Sequence, residues 1–264
     1  MNKYKLTFLH MFVVLVFLTL WQISSTYSAK INFLFGSPYL VLQAFLSKPF
    51  EWITDTTITG LEAITGFALG VGIGSLIGFT LLYSKQLGNF SRPYIIALGS
   101  IPILALAPML IIWFGVSYPM KIASAFLATV LVALSQAYEG GRSIEKDLLD
   151  WFKMHSDSKT DLFVKLILPS SINWVFASLK MNIGFALLGA FLGEFIASNA
   201  GLGHEILSAG GVYDFPRVFA ATICIIVLAL ALNFSVILIE NYRFQLISFL
   251  TVPKMLKKFK ETHQ

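Results

Sequence analysis

Charge is what this sequence has least of. Asp, Glu, Lys and Arg make up 12% of its 264 residues, against 56% hydrophobic ones, and the mean hydropathy is +0.76. A water-soluble domain usually carries about 25% charged residues, so the shortage excludes an ordinary soluble fold and points to the bilayer as solvent. Cysteine is nearly missing too. Cys224 stands alone, which excludes an internal disulfide and leaves the redox compartment unread. The four histidines have no Cys or carboxylate cluster at metal-ligand spacing, so no metal site is expected, and His204 reads as a surface residue. Only His10 falls inside an apolar run, which denies an intramembrane serine protease the His–Ser pair it would need. No G-x-x-x-x-G-K-[ST], G-x-S-x-G or H-E-x-x-H occurs. The chain is therefore expected to be no enzyme and to hold no cofactor of its own.

What it has is long uncharged runs. Leu6–Ala29, Ala63–Ser84, Pro93–Met120, Ile122–Tyr138 and Val218–Ile239 contain no Asp, Glu, Lys or Arg, and Leu166–Gly193 contains only Lys180. A hydrocarbon core about 30 Å thick needs roughly 20 apolar residues in a helix. The expectation is an all-α membrane protein of six transmembrane helices. The first run, longer than the core of a secretory signal, is expected to be a retained helix rather than a cleaved leader. With the N-terminus in the cytoplasm, fourteen of the nineteen Lys and Arg gather on the cytoplasmic side. Lys30, Lys48, Lys121 and Arg217 fall outside and Lys180 within a span, as the positive-inside rule requires. The net charge of +5 is thus a matter of orientation and not of nucleic acid. The basic tail (residues 246–264) reads as a solvated end beside anionic lipid.

Three features inside the runs stand out. Gly66, Gly70, Gly74 and Gly78 recur every fourth residue and so form one smooth helix face, a signal for close helix packing in lipid. Pro102 and Pro108 interrupt the third run, each deleting a helix hydrogen bond, and are candidates for a kink lining a path or gate. Lys180 and Glu194 are ionisable groups at membrane depth near span ends. They are the other candidates for a path or gate, Lys180 by snorkelling towards the cytoplasmic face and Glu194 facing a cavity or water.

One segment breaks the pattern. From Asp147 to Ser171, seven of 25 residues are charged. Leu148, Leu149, Trp151, Phe152 and His155 share one helical face, opposite Asp147, Asp150, Lys153 and Asp157. Ser156–Ser158 breaks the helix, and Ser158 with Asp161 gives a capping-box-like start to the next one, which leads through Leu168-Pro169 into the fifth span. The loop is expected to be two short helices presenting Trp151 and Phe152, as a membrane-surface helix or as a knob for a soluble partner.

Taken with its surroundings, this loop resembles that of the permease subunits of ABC importers, in the nitrate/sulfonate/taurine-type branch of the binding-protein-dependent family. That family's cytoplasmic loop has the form E-A-A-x3-G-x9-I-x-L-P. Asp150-Trp151-Phe152 stand at E-A-A, Ser156 at Gly, Leu166 at Ile and Leu168-Pro169 at L-P, with the spacing kept and the identities partly changed. IPILALAPMLIIWFG (Ile101–Gly115) followed by Lys121 is similar to the branch's I-P-x-x-A-L-x-P-L-x-I-x-W-F-G…K, and Gly36–Pro38, the glycine ladder, Glu194 and Gly201–Gly203 follow in family order. The resemblance, covering about Phe35 to Arg243, implies a MetI-like permease fold in the bacterial inner membrane. It divides the chain into a first helix with an outer amphipathic segment (1–62), a five-span core (63–245, with the loop at about 139–169) and the basic tail. It also implies cytoplasmic ATPase subunits that hold ATP and Mg, contacted through Asp150, Trp151, Phe152, His155, Ser156, Leu168 and Pro169. An extracytoplasmic solute-binding protein and a second permease copy complete the implied assembly. The implied cargo is a small solute of the nitrate, sulfonate or taurine kind, or a thiamine- or riboflavin-type precursor. The alternative, an ion-coupled secondary transporter, would want paired ionisable groups near mid-bilayer.

Overall fold

The computed structural model describes the backbone of residues 3–155 and 158–247, and the side chains of 5–155 and 158–240. Those residues are almost wholly helical, with no strand among them. α1 (Lys3–Tyr27) is followed by two short helices, α2 (Ala29–Phe35) and α3 (Pro38–Ser47), then by the long α4 (Pro49–Tyr83). α5 (Lys85–Gly99) and α6 (Ile103–Phe114) precede α7 (Tyr118–Arg142). α8 (Lys146–His155), α9 (Lys159–Leu162) and a π-helical stretch (Phe163–Ile167) lead into α10 (Leu168–Ile196). α11 (Leu202–Gly211) and α12 (Phe215–Ile247) end the described chain.

The third run is not one kinked helix. α5 and α6 meet at 89° across a break at Ser100–Pro102. Ile101 precedes a proline, and the proline ring pushes the residue before it out of the α region, so the helix stops there. Pro102 sits at the break with extended backbone, and Pro108 lies within α6.

The glycine ladder fixes the topology. Gly66 faces Ala125, Gly70 faces Thr129, Gly74 faces Ala133 and Val130, and Gly78 faces Ala137. Both sets of numbers rise together, so α4 and α7 run parallel. The chain must then return between them, and α5 with α6 makes that return. α5 starts beside Tyr138 near one end of the pair, where Gly88 meets the Tyr138 ring, and α6 packs Ala107 and Leu110 on Met120 at the other end. With the bent pair counted as one crossing, six crossings result.

α7 is the central helix. On its other side α10 runs antiparallel, with Gly189 against the Ala125 backbone and Gly140 against Trp174. The contact layer is built from small residues: Ala63, Ala125, Ala186 and Ala190 with Ile183, Leu187 and Val236. Small side chains are what let backbones approach where lipid gives helices no hydrophobic reason to associate. A second cluster joins α3, α4, α11 and α12 through Val41, Trp52, Leu202, Ala220 and Ala221. α1 lies at the margin, with Phe8, Phe12 and Phe17 open to the surroundings, and Trp21 stacks edge-on against Phe219 of α12.

α4 begins well before the uncharged run that announced it. Its 35 residues span roughly 50 Å at 1.5 Å each, so a division of the chain at 62/63 falls inside one continuous helix. Pro49 suits its first turn. Asp55 and Glu62 ride on the extra turns, and both are engaged by neighbouring elements.

Candidate functional site

Two places in the bundle gather chemistry. The first is the charged segment at the end where α4 and α7 terminate. α8 turns Phe152 inward, 5% exposed, with Leu148 and Leu149 half-buried beside it. The expectation that Phe152 is presented outward is therefore not met. Phe152 is an anchor that seats α8, because the hydrophobic face of an amphipathic helix is buried before any partner arrives. Trp151 is half-buried and stacks on His155, ring centroids 4.3 Å apart, while the His155 Nδ1 lies 2.8 Å from the Trp151 carbonyl oxygen. What α8 leaves open includes Asp147, Asp150 and Met154, the last 76% exposed, together with Lys146, Lys153 and His155. Ser156 lies outside the described residues.

Beyond the break, the Ser158 hydroxyl accepts the Asp161 N–H at 3.2 Å, the N-cap that its spacing predicted. Leu168 and Pro169 follow the widened turns of the π-helical stretch. Pro169 has no N–H to return to Lys165 and its ring crowds that carbonyl, which accounts for the helix opening at this point. Phe163 in the stretch packs edge-on against Tyr83 at the end of α4, ring centroids 5.5 Å apart. α8 is thus joined to the α10 crossing through an irregular helical segment that leans on α4.

The second place lies near the opposite end, between α4, α7 and α10. Glu194 is fully buried, not facing a cavity. Its Oε1 accepts from the Thr59 hydroxyl at 2.6 Å and its Oε2 from the Gly203 N–H at 2.7 Å. The Thr59 oxygen in turn accepts the Leu202 N–H at 3.0 Å, and Asp55 accepts the Gly201 N–H at 2.8 Å. The free N–H groups at the start of α11 are thereby satisfied by side chains from α4 and α10, in the place of a local cap. Gly201, at φ +99°, has no room for a side chain against the Glu194 carboxylate.

One turn from Thr59 sits Glu62, also fully buried, and its nearest cation is Lys121 Nζ at 3.4 Å. Lys121, which the sequence placed in an outer loop, is 6% exposed and lies in the first turn of α7. Gly193 gives it room, since a Cβ there would stand 3.0 Å from the Lys121 Cα. Glu62 was missed because it ends the uncharged run rather than interrupting it. The pairing could have been sought from its position, one residue outside the glycine-ladder span.

Lys180 pairs with Glu240 of α12 at 2.8 Å, both partly exposed. Lys180 shares the open side of α10 with Asn173, Ala177 and Gly184. The structure does not bring Pro102, Pro108, Lys180 and Glu194 into one site. Glu194 belongs to the α11 cap, Lys180 to an α10–α12 pair, and the two prolines to the break and to α6.

Residues 70–243 match the family described as binding-protein-dependent transport system inner membrane component. The chain belongs to this family. Among its relatives, a probable ABC transporter permease protein of Haemophilus influenzae is 29% identical over 224 residues, covering 85% of this chain and 91% of that one. The riboflavin transport system permease protein RibX of Chloroflexus aurantiacus is 30% identical over 231 residues, 86% of each chain. The fold is that of the permease in an inward-facing structure of the MetNI methionine ABC transporter, with a TM-score of 0.64 at 13% identity over 73% of this chain and 96% of that one. The protein is a multi-pass permease subunit of an ABC importer. That membership sets aside the ion-coupled alternative, even though a buried ionisable trio is present.

Proposed function

We propose that two permease copies enclose the path for a small solute, with cytoplasmic ATPase subunits seated on α8 and an extracytoplasmic binding protein delivering the solute. Both termini then lie in the cytoplasm of a bacterial inner membrane, the orientation favoured by the Lys and Arg distribution. The α8 end of the bundle is the cytoplasmic end, and the Glu62 end is the outer one. The observation that carries this reading is α8 itself: anchored from below by Phe152, it offers Asp147, Asp150 and Met154 to a partner. ATP and Mg stay on the ATPase, whose closure draws the α8 helices together and rocks the spans. The path is lined by the open side of α10, where Asn173 and Lys180 make a polar stripe that lipid would not favour. Pro102 and Pro108 shape the return segment beside it. The solute is of the nitrate, sulfonate or taurine kind or a riboflavin- or thiamine-type precursor, and its selection rests with the binding protein.

The test is a photo-crosslinking residue at position 154 in cells that also express the importer's ATPase. A covalent adduct with the ATPase is the expected product. Adducts with lipid alone would remove α8 as the docking helix.

A further inference from the structure

We propose that Glu62, Lys121 and Glu194 form the outer latch of the permease, holding α4, α7 and α10 together where the path must close. The proposal rests on the permease reading above and gives it an outer gate. Three charged side chains from three spans meet in a place almost without exposure. Glu194 has both oxygens filled, by Thr59 and Gly203. Glu62 does not. Neither of its oxygens receives a hydrogen bond from a described residue, and the ammonium of Lys121 stands off at 3.4 Å, beyond the roughly 2.7–2.9 Å of a good charge-assisted bond. The Glu194 carboxylate is its other neighbour, and the Tyr118 ring closes the far side of Lys121.

A buried carboxyl group held only by a distant ammonium and crowded by a second carboxyl is a poor way to gain stability, since desolvation of the charges offsets their attraction. Registry and switching are the better-attested uses of such groups. The surrounding contacts favour a switch. Directly inward of the trio the backbones of α4, α7 and α10 touch through Gly66, Ala125 and Gly189, so this end can part only by pivoting about that waist. Parting α4 from α7 there separates Glu62 from Lys121. Where α4 also parts from α10, Thr59 leaves Glu194 and the Leu202 N–H at the start of α11 loses its acceptor. Each lone charge is tolerable only with water around it. The outer end is therefore either shut with the trio together or open with the trio wet, and a half-open state is disfavoured. That is the behaviour a permease needs to keep ATP use tied to solute delivery.

The experiment uses the full importer reconstituted with its ATPase and binding protein, measuring hydrolysis with and without loaded binding protein. Glu62→Gln and Lys121→Met should raise hydrolysis in the absence of binding protein by about 5-fold or more and lower the solute imported per ATP. The swap E62K/K121E, which restores opposite charges and leaves Glu194 beside a lysine, should return both towards wild type. A second readout needs no ATPase. Ser124, 2% exposed and one turn inward of Lys121, is replaced by cysteine in a Cys224→Ala background and treated with a membrane-impermeant maleimide. The thiol introduced there should react in the Glu62→Gln protein and stay unlabelled when Glu62 is intact. Hydrolysis that still requires binding protein, with position 124 unlabelled in the Glu62→Gln protein, overturns the latch. So does a parallel loss of hydrolysis and melting temperature that the swap leaves unrepaired, which marks the trio as structural only. If the wild-type subunits fail to assemble, the importer reading is what fails, and the labelling still decides the latch.

Discussion

Gly72 and Gly74 sit two residues apart on α4, and alanine at each should have opposite effects. A Cβ at Gly72 would meet nothing within 4 Å, whereas one at Gly74 would run into the Val130 carbonyl oxygen and approach both the Ala133 Cβ and the Leu134 nitrogen at 3.0 Å. The obstacles at position 74 include the backbone of α7, which cannot rotate aside as a side chain can. Relief requires α4 and α7 to separate, and that loosens the neighbouring contacts at Gly70 and Gly78. Overpacking of this kind costs about 1–3 kcal/mol. Gly72→Ala carries no such cost and removes backbone freedom, worth roughly 0.5–1 kcal/mol in a helix interior. In detergent, thermal unfolding of the purified permease should therefore move down for Gly74→Ala and hold or rise for Gly72→Ala. Equal melting temperatures for the two variants would refute the claim that the α4–α7 seam depends on backbone contact, and with it the parallel register deduced from the ladder.

Two further outcomes follow from the same contacts. Thr59→Val removes the hydroxyl that donates to Glu194 and accepts from Leu202. It leaves buried groups unpaired at about 1–3 kcal/mol each, so amide exchange at Leu202 and Gly203 should quicken while that of α7 does not. Phe152→Ala removes a buried anchor, a change worth about 3–5 kcal/mol in a well-packed core. Limited proteolysis should then cut within 146–158 faster with the six spans intact, and, with α8 as the proposed docking helix, ATPase association should weaken as well.

The spans were legible because each must be long and apolar, and those demands leave runs that can be counted. The Glu62–Lys121 pairing was not, because a charge beside an uncharged run looks the same whether it faces water or a partner on another helix. Only the parallel α4–α7 register brings Glu62 within reach of the first turn of α7. Glu194 was visible as an oddity, but its work as a cap for α11 depends on Thr59 and Gly203, which nothing in local spacing singles out. At α8 the periodicity identified the two faces, but the expectation that the aromatic one is presented outward missed that Phe152 is buried. The break at Pro102 could be read as an interruption, while its angle is set by α6 packing on Met120 and Ala197.

Because α4 and α7 point the same way, their seam cannot close while the chain is still being threaded into the bilayer through its fourth helix. The residues from Lys85 to Ser117 must first be inserted and folded back, and α7 delivered after them. Until then the bare glycine edge of α4 waits in lipid with its partner unmade. Biogenesis of this permease is thus back-loaded: a chain arrested before Tyr118 would hold correctly inserted helices and still lack the joint about which the finished bundle is organised.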